Sequence, residues 1–425
     1  MFRLICFEIR KNYLRWYIFV AFLLFIFINV FMIYNKYISG DGMYLMERTP
    51  QNSRFLQAYE DLHKKLDGSL TVDKARFIVD ERNRLRDIIN DDTYSKEYQQ
   101  DTYTGYFYAD YGMITQHFYQ PMEYVAMYET NIKQVVKKAK DNIGFYEKSK
   151  NDYERDRNEY IVNHYSGRKI NVFYDGKPWE SLLEYDFSDL LILFLIILGV
   201  VPIFISEKQN GMEELILSSR NGKSDMILAK VVSVILYIAF VVIVFSSMDF
   251  IVFKLLYGLS GGDMPVYALE SYKYTPLNHS VSLFYIMISL LKVVGGIVFG
   301  FWLCIFSTLF QRVVYPYMLG VLMAVGGIYI SGYLASVETV RIVLALMSPF
   351  TLLKGNELFI ELSGLNISNS FFLRGYVCLF VQLIVLGALY CLIYLLKCKG
   401  NVRRKKRFFL GGGTLKCCFS SGERH

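Results

Sequence analysis

The chain has 425 residues, of which 53% are hydrophobic and 16% aromatic, with a mean hydropathy of +0.27 and a formal net charge of +7. Soluble proteins also run close to half apolar, so the totals decide little; it is the gathering of apolar residues into runs able to cross ~30 Å of hydrocarbon that excludes a wholly soluble chain. Nucleic acid is not the implied partner of the positive charge, because much of it falls in 397–407, directly behind an apolar run, where a basic cluster reads as an anchor at anionic lipid.

In chain order, residues 1–34 read as an amphipathic elbow and a first span. Phe2, Ile5 and Ile9 alternate with Arg3, Arg10, Lys11 and Arg15, which suits a helix lying at a membrane surface. The run 16–34 is long for a signal peptide, and Tyr37-Ile38-Ser39-Gly40 lacks a small-x-small cleavage pattern, so an uncleaved anchor is favoured. Residues 35–188 are polar, rich in tyrosine and of one-domain size. Phe55, Leu56, Tyr59, Leu62 and Leu66 recur at helical spacing, as do Val125, Tyr128, Ile132, Val135 and Val136. Lys169 to Tyr174 alternate like a strand, and Asp175-Gly176 is a turn signal, which predicts a small hairpin. The expectation is a mainly helical extracytoplasmic domain between the first and second spans. Its tyrosines either line a surface for peptide or lipid or, as is commoner, pack helices together.

The seven cysteines, Cys6, Cys304, Cys378, Cys391, Cys398, Cys417 and Cys418, all lie outside that domain, so no disulfide framework is predicted. Cys417 and Cys418 lack a second pair at zinc-ligand spacing, and His63, His117, His164 and His279 are scattered; no metal site is expected.

A second span covers about 190–206, with Pro202 expected to bend it near its end. There follows a polar stretch, 207–225, too charged for hydrocarbon. Glu207, Glu213 and Glu214 stand toward its front and Arg220 and Lys223 toward its back, the order that suits a short helix's dipole. Glu207, Gly211, Glu213, Leu215, Ile216, Arg220 and Lys230 together resemble the cytoplasmic coupling loop of type-2 ABC exporter permeases (the ABC-2 type). Met212 stands where that family has Thr, and Ser219 where it has Pro. The resemblance implies that this loop seats a separate ABC ATPase subunit, that ATP and Mg are bound there and no cofactor here, and that a second permease copy or a sister permease completes the pathway. It places Glu207, Gly211, Glu213, Glu214, Leu215, Arg220, Lys223 and Lys230 in ATPase coupling.

The third span is 226–257, with a short outer loop behind it. Residues 280–310 exceed one span; 293–310 would suffice, leaving 280–291 partly interfacial. Gln311-Arg312 is a tight inner turn, 315–334 a fifth span, and 335–370 an external segment whose short apolar pieces flank Ser348-Pro349 and read as re-entrant or interfacial. The sixth span is 371–396, and 397–425 is a basic cytoplasmic tail. The fold class is therefore an α-helical polytopic membrane protein with six transmembrane helices, the transmembrane domain being 189–396. Lys and Arg in the short segments put both termini in the cytoplasm of a cell (plasma) membrane, bacterial by composition. Asp249 and Lys292 each fall, at 1.5 Å per residue, near the outer interface, and an intramembrane ion pair between them is predicted.

Gly222-Lys223-Ser224 looks like the end of a P-loop, but position 217 is Leu217, and a span rather than a buried strand precedes it. Neither H-E-x-x-H nor G-x-S-x-G occurs. The sequence thus points to a non-enzymatic permease subunit of an exporter moving a peptide, drug or lipid outward, with lipids and the ATPase as partners. The alternative is a membrane receptor or mechanotransmission subunit whose external domain senses and which transports nothing.

Overall fold

Out of water, a backbone must satisfy its own hydrogen bonds, so each long apolar run closes into a helix. A computed structural model describes residues 1–40, 53–90, 102–211, 224–334 and 339–411. Among the described residues, five helical stretches are long and apolar enough to cross a membrane: Trp16–Ser39, Lys177–Gln209, Ser224–Tyr257, Val281–Leu309 and Arg374–Lys397. A shorter apolar helix is described over Val314–Tyr329. The chain is accordingly a mostly helical, multi-pass membrane protein.

The elbow is α1 (Phe2–Asn12), and α2 (Trp16–Ser39) follows it. Its amphipathicity is inverted relative to a soluble helix. Glu8 and Asn12 are buried, while Phe2, Phe7, Leu14 and Trp16 of the elbow and its turn are exposed. In a bilayer this is the sensible arrangement, since lipid solvates the apolar face and protein must satisfy the polar one.

The polar domain contains α3 (Ser53–Leu66), β1 (Gly68–Ser69), α4 (Val72–Asn90), α5 (Phe107–Met113), α6 (Gln120–Lys148), α7 (Asp152–Tyr165), β2 (Val172–Phe173) and α8 (Lys177–Glu184). One apolar core joins Phe55, Tyr59, Leu62 and Leu66 to Ile78, Leu85 and Phe118, and a second joins Val125, Tyr128 and Ile132 to Tyr165. The hairpin expected at 169–176 is not local: Val172 pairs antiparallel with Ser69 and Phe173 with Gly68. Pro178 in the first turn of α8 explains this, because it starts a helix where a returning strand would be needed.

A π-helical turn, Ile114–Tyr119, carries His117 into a cleft of about 50 Å³ that Tyr59, His63, Tyr124 and Asp175 also line. Burial pushes the His117 imidazole down from 6.5 to about 4, against the opposing pull of the Asp175 carboxylate. The unfolded chain therefore takes up this proton more readily than the folded one. Stability is fully present above pH 6.5, is lost as pH falls through 6.5 to 4, and levels off below; the loss is about 3 kcal/mol over that window. The protection of the domain amides, taken as the exchange rate relative to the unstructured chain at the same pH, should fall as pH is lowered over that range in the wild type and stay flat in a His117→Phe variant.

Tyrosines tie the domain to the bundle. Tyr124 donates to the Tyr267 carbonyl at 2.7 Å, Tyr165 to that of Tyr274 at 2.6 Å, and Tyr128 stacks on Tyr267 at 5.1 Å. Arg168, 4% exposed, donates to Thr275 O at 2.9 Å, Leu277 O at 3.2 Å and Asn278 Oδ1 at 2.7 Å. For these side chains, packing rather than a ligand surface is the outcome.

In the bundle, α9 (Phe187–Val200) and α10 (Pro202–Gln209) meet at the expected proline break, and Ser307 donates to the Val201 carbonyl there at 2.8 Å. They are followed by α11 (Ser224–Tyr257), α12 (Val281–Leu309), α13 (Val314–Leu334) and α16 (Arg374–Gly411), the last after α14 (Thr339–Met347) and α15 (Pro349–Leu353). In the most apolar 18 residues of the stretch holding α9 and α10, 78% of residues are buried, against 17% in those of the first and last of the five, which places it at the centre. Between 280 and 310 there is one continuous helix, capped by Ser280. An unforeseen antiparallel hairpin, β3 (Gly364–Ile367) with β4 (Ser370–Leu373), occupies the start of the predicted sixth span, so that helix begins at Arg374.

The break between α14 and α15 exposes backbone carbonyls. Gln382, fully buried in α16, donates to Leu346 O at 2.7 Å and Ser348 O at 2.9 Å. Its replacement by leucine strands both acceptors, each at about 1–3 kcal/mol. The Gln382→Leu protein should show a lowered thermal midpoint in detergent, with Gln382→Asn giving a smaller loss.

Candidate functional site

Two charged clusters stand at opposite ends of the bundle. At the end away from the polar domain, Glu207 near the end of α10 is 5% exposed and sits between two lysines. Lys11 of the elbow donates to its Oε1 at 2.7 Å, and Lys230 of α11, 2% exposed, donates to its Oε2. One carboxylate thus pins three elements together. Lys230 also lies 5.0 Å over the Phe204 ring, and Lys397 of α16 lies 4.7 Å over the same ring. Glu8, fully buried, accepts from Asn12 at 2.8 Å through one oxygen; its other oxygen meets no hydrogen-bond donor among the described residues. One residue along, Lys208 donates to the Thr308 and Phe310 carbonyls and so caps the end of α12. Above the cluster Tyr13 stacks on Tyr237 at 4.1 Å and 7°. Gly199 makes room for that second ring, since a Cβ there would meet it at 2.5 Å.

Gly211 has φ +67°, the left-handed region that favours glycine, and it ends α10 with its N–H directed at the Lys208 carbonyl. It turns the chain into 212–223. Glu213, Glu214, Leu215, Arg220 and Lys223 lie outside the described residues. Of the predicted coupling residues, then, Glu207 and Lys230 are brought together, with Gly211 beside them. Lys11 was read only as an elbow charge; its partner stands 196 residues away, and nothing local in the sequence connects the two.

The second cluster lies near the polar domain. Here the predicted Asp249–Lys292 pair is corrected. Lys292 binds Asp189 instead, at 2.7 and 3.0 Å. Asp249 accepts from the Asn29 amide at 2.6 Å, and Tyr185 donates to the Asn29 oxygen at 2.9 Å. The reason is where α9 begins: at Phe187, not 190, so that Asp189 is inside the helix and buried. No metal-binding group of three or more His, Cys, Asp or Glu is found among the described residues. Compared with known proteins, the chain matches no family model, no curated protein and no solved structure.

Proposed function

We propose that the chain is the permease subunit of an ABC exporter, crossing the membrane six times with the polar domain outside and both termini in the cytoplasm. The shorter apolar helix α13 would be the fifth of these crossings in chain order, and α16 the sixth. A separate ATPase subunit binds ATP and Mg, and a second permease, identical or a sister, completes the path for a peptide, drug or lipid. The observation that carries this reading is the Glu207 junction. A force delivered to 212–223 reaches Glu207 through a single glycine turn, and from there the elbow through Lys11 and α11 through Lys230. Such a joint suits a lever worked by a nucleotide-hydrolysing partner. The resemblance of 207–230 to coupling loops supplies the identity of that partner.

The experiment is to change Glu213 and Glu214 together to lysine and to assay the protein with its copurifying ATPase. The expected result is normal insertion with loss of transport-stimulated ATP hydrolysis; unchanged stimulation rejects the reading.

A second reading is favoured by a specific observation: the grip of the polar domain on the bundle. Besides Arg168 and its neighbours, Tyr153 and Tyr160 pack on Phe371 of the β3–β4 hairpin at 5.8 and 5.7 Å. A domain so attached transmits its own movements to α11, α12 and α16, which is what a receptor or mechanotransmission subunit requires. Copurification with a nucleotide-binding subunit separates the two.

A further inference from the structure

Four helices contribute polar residues to the cluster near the polar domain: Asn29 from α2, Ser188 and Asp189 from α9, Asp249 from α11 and Lys292 from α12. Asn29, Ser188, Asp189 and Asp249 are each 5% exposed or less. Their charges do not balance. Two carboxyls face one ammonium, and that ammonium is committed to Asp189 through both carboxylate oxygens. Asn29 is neutral, and Tyr185 spends its proton on Asn29. Tyr285 donates to the Ser246 carbonyl at 2.7 Å and brings no charge either. Farther out, Lys354 lies 3.9 Å from Asp186, and Lys36 is 6.0 Å over the Tyr185 ring, outside the buried set. A net negative charge enclosed among apolar helices is strongly disfavoured unless a positive partner joins it.

A second observation indicates which partner. Ser188, 1% exposed, faces Asp249, yet its hydroxyl has no hydrogen-bond partner among the described residues. Asp249 already receives a proton donor on one oxygen, from Asn29. The Ser188 hydroxyl can donate to an ionised Asp249 or accept from a protonated one, and only the second arrangement also neutralises the excess charge.

We propose that this cluster is a binding site for one proton, held on the Asp249 carboxyl between Asn29 and Ser188. The proton comes from water and returns to it; no other bond forms or breaks. Because the members are spread over four helices, loading is linked to how α2, α9, α11 and α12 pack. A movement carrying Lys292 from Asp189 toward Asp249 would pass the proton from Asp249 to Asp189, since one of the two carboxyls must stay neutral. This site goes beyond the permease reading and does not depend on it.

Infrared spectroscopy of the full chain in lipid nanodiscs at pH 7 tests the proposal. The expected result is a deuterium-sensitive stretch of one buried protonated carboxyl, absent in Asp249→Asn. In Lys292→Met Asp189 loses the ammonium bound to it, and the band should grow about twofold. If Asp249→Asn does not insert, Asp249→Glu answers instead: the lengthened side chain should shift the frequency of the band, and a band unmoved by that change overturns the site. A missing band, a band that survives in Asp249→Asn, or one displaced by sodium chloride overturns it, the last in favour of a sodium ion.

Discussion

Glu207→Leu should be the most damaging single change in the bundle. It leaves Lys230, 2% exposed, without the carboxylate that neutralises it, and breaking a buried pair from one side costs about 3–5 kcal/mol. Lys11 suffers less, because its side chain is 30% exposed and can turn to headgroups or water. The single variant should unfold in detergent at markedly lower temperature than wild type. Glu207→Leu combined with Lys230→Met removes both charges and should recover most of that loss, since an apolar pair of similar volume is often neutral or better. Under the proposed function, the double variant folds but does not couple. A double variant with normal ATPase stimulation would show that the junction is structural only.

The second large effect is expected at Arg168. Its guanidinium is stacked 4.0 Å over Tyr165 and 4.7 Å over Tyr267 while donating to two backbone carbonyls and the Asn278 side chain. Arg168→Leu orphans those acceptors, at about 1–3 kcal/mol each, and removes two cation–π contacts. Lysine does not repair it, since one ammonium cannot span a fork of acceptors. The measurement is hydrogen exchange at 271–278, which should rise by an order of magnitude or more in Arg168→Leu and nearly as far in Arg168→Lys. The α11–α12 ends should remain protected; loosening there as well would mean that the domain grip stabilises the whole bundle. Under the receptor reading the same variant should silence signalling while leaving the spans intact.

Much of this architecture was legible from apolar run length, which measures the distance a helix must cross. The long helices could be read this way, while the elbow showed in its alternation of apolar and basic residues and the break in Pro202. What was not legible depends on distant pairing. Asp249 and Lys292 were noticed because each interrupts an apolar run, whereas Asp189 sits at the edge of its run and looked like a boundary. The mispairing followed directly. The same limit hid Lys11, whose basic neighbours Arg10 and Arg15 made it one surface charge among several. The hairpin at 364–373 was missed because Phe371-Phe372-Leu373 is as apolar as the helix that starts at Arg374, and hydropathy alone does not separate strand from span. Within the candidate site, Gly211 was singled out by resemblance, and its positive φ supplies the physical reason for glycine there.

The inverted elbow has a mechanical consequence. Phe2, Phe7, Leu14 and Trp16 face outward, so acyl chains are the bearing on which α1 rests, while Lys11 on its other side is tied by charge. A helix floating in lipid on one flank and tethered on the other cannot drift without dragging its tether. Thinning the bilayer or swelling its headgroup layer therefore tugs at the foot of α10 and α11, and the assembly should respond to membrane tension even with every protein contact unchanged.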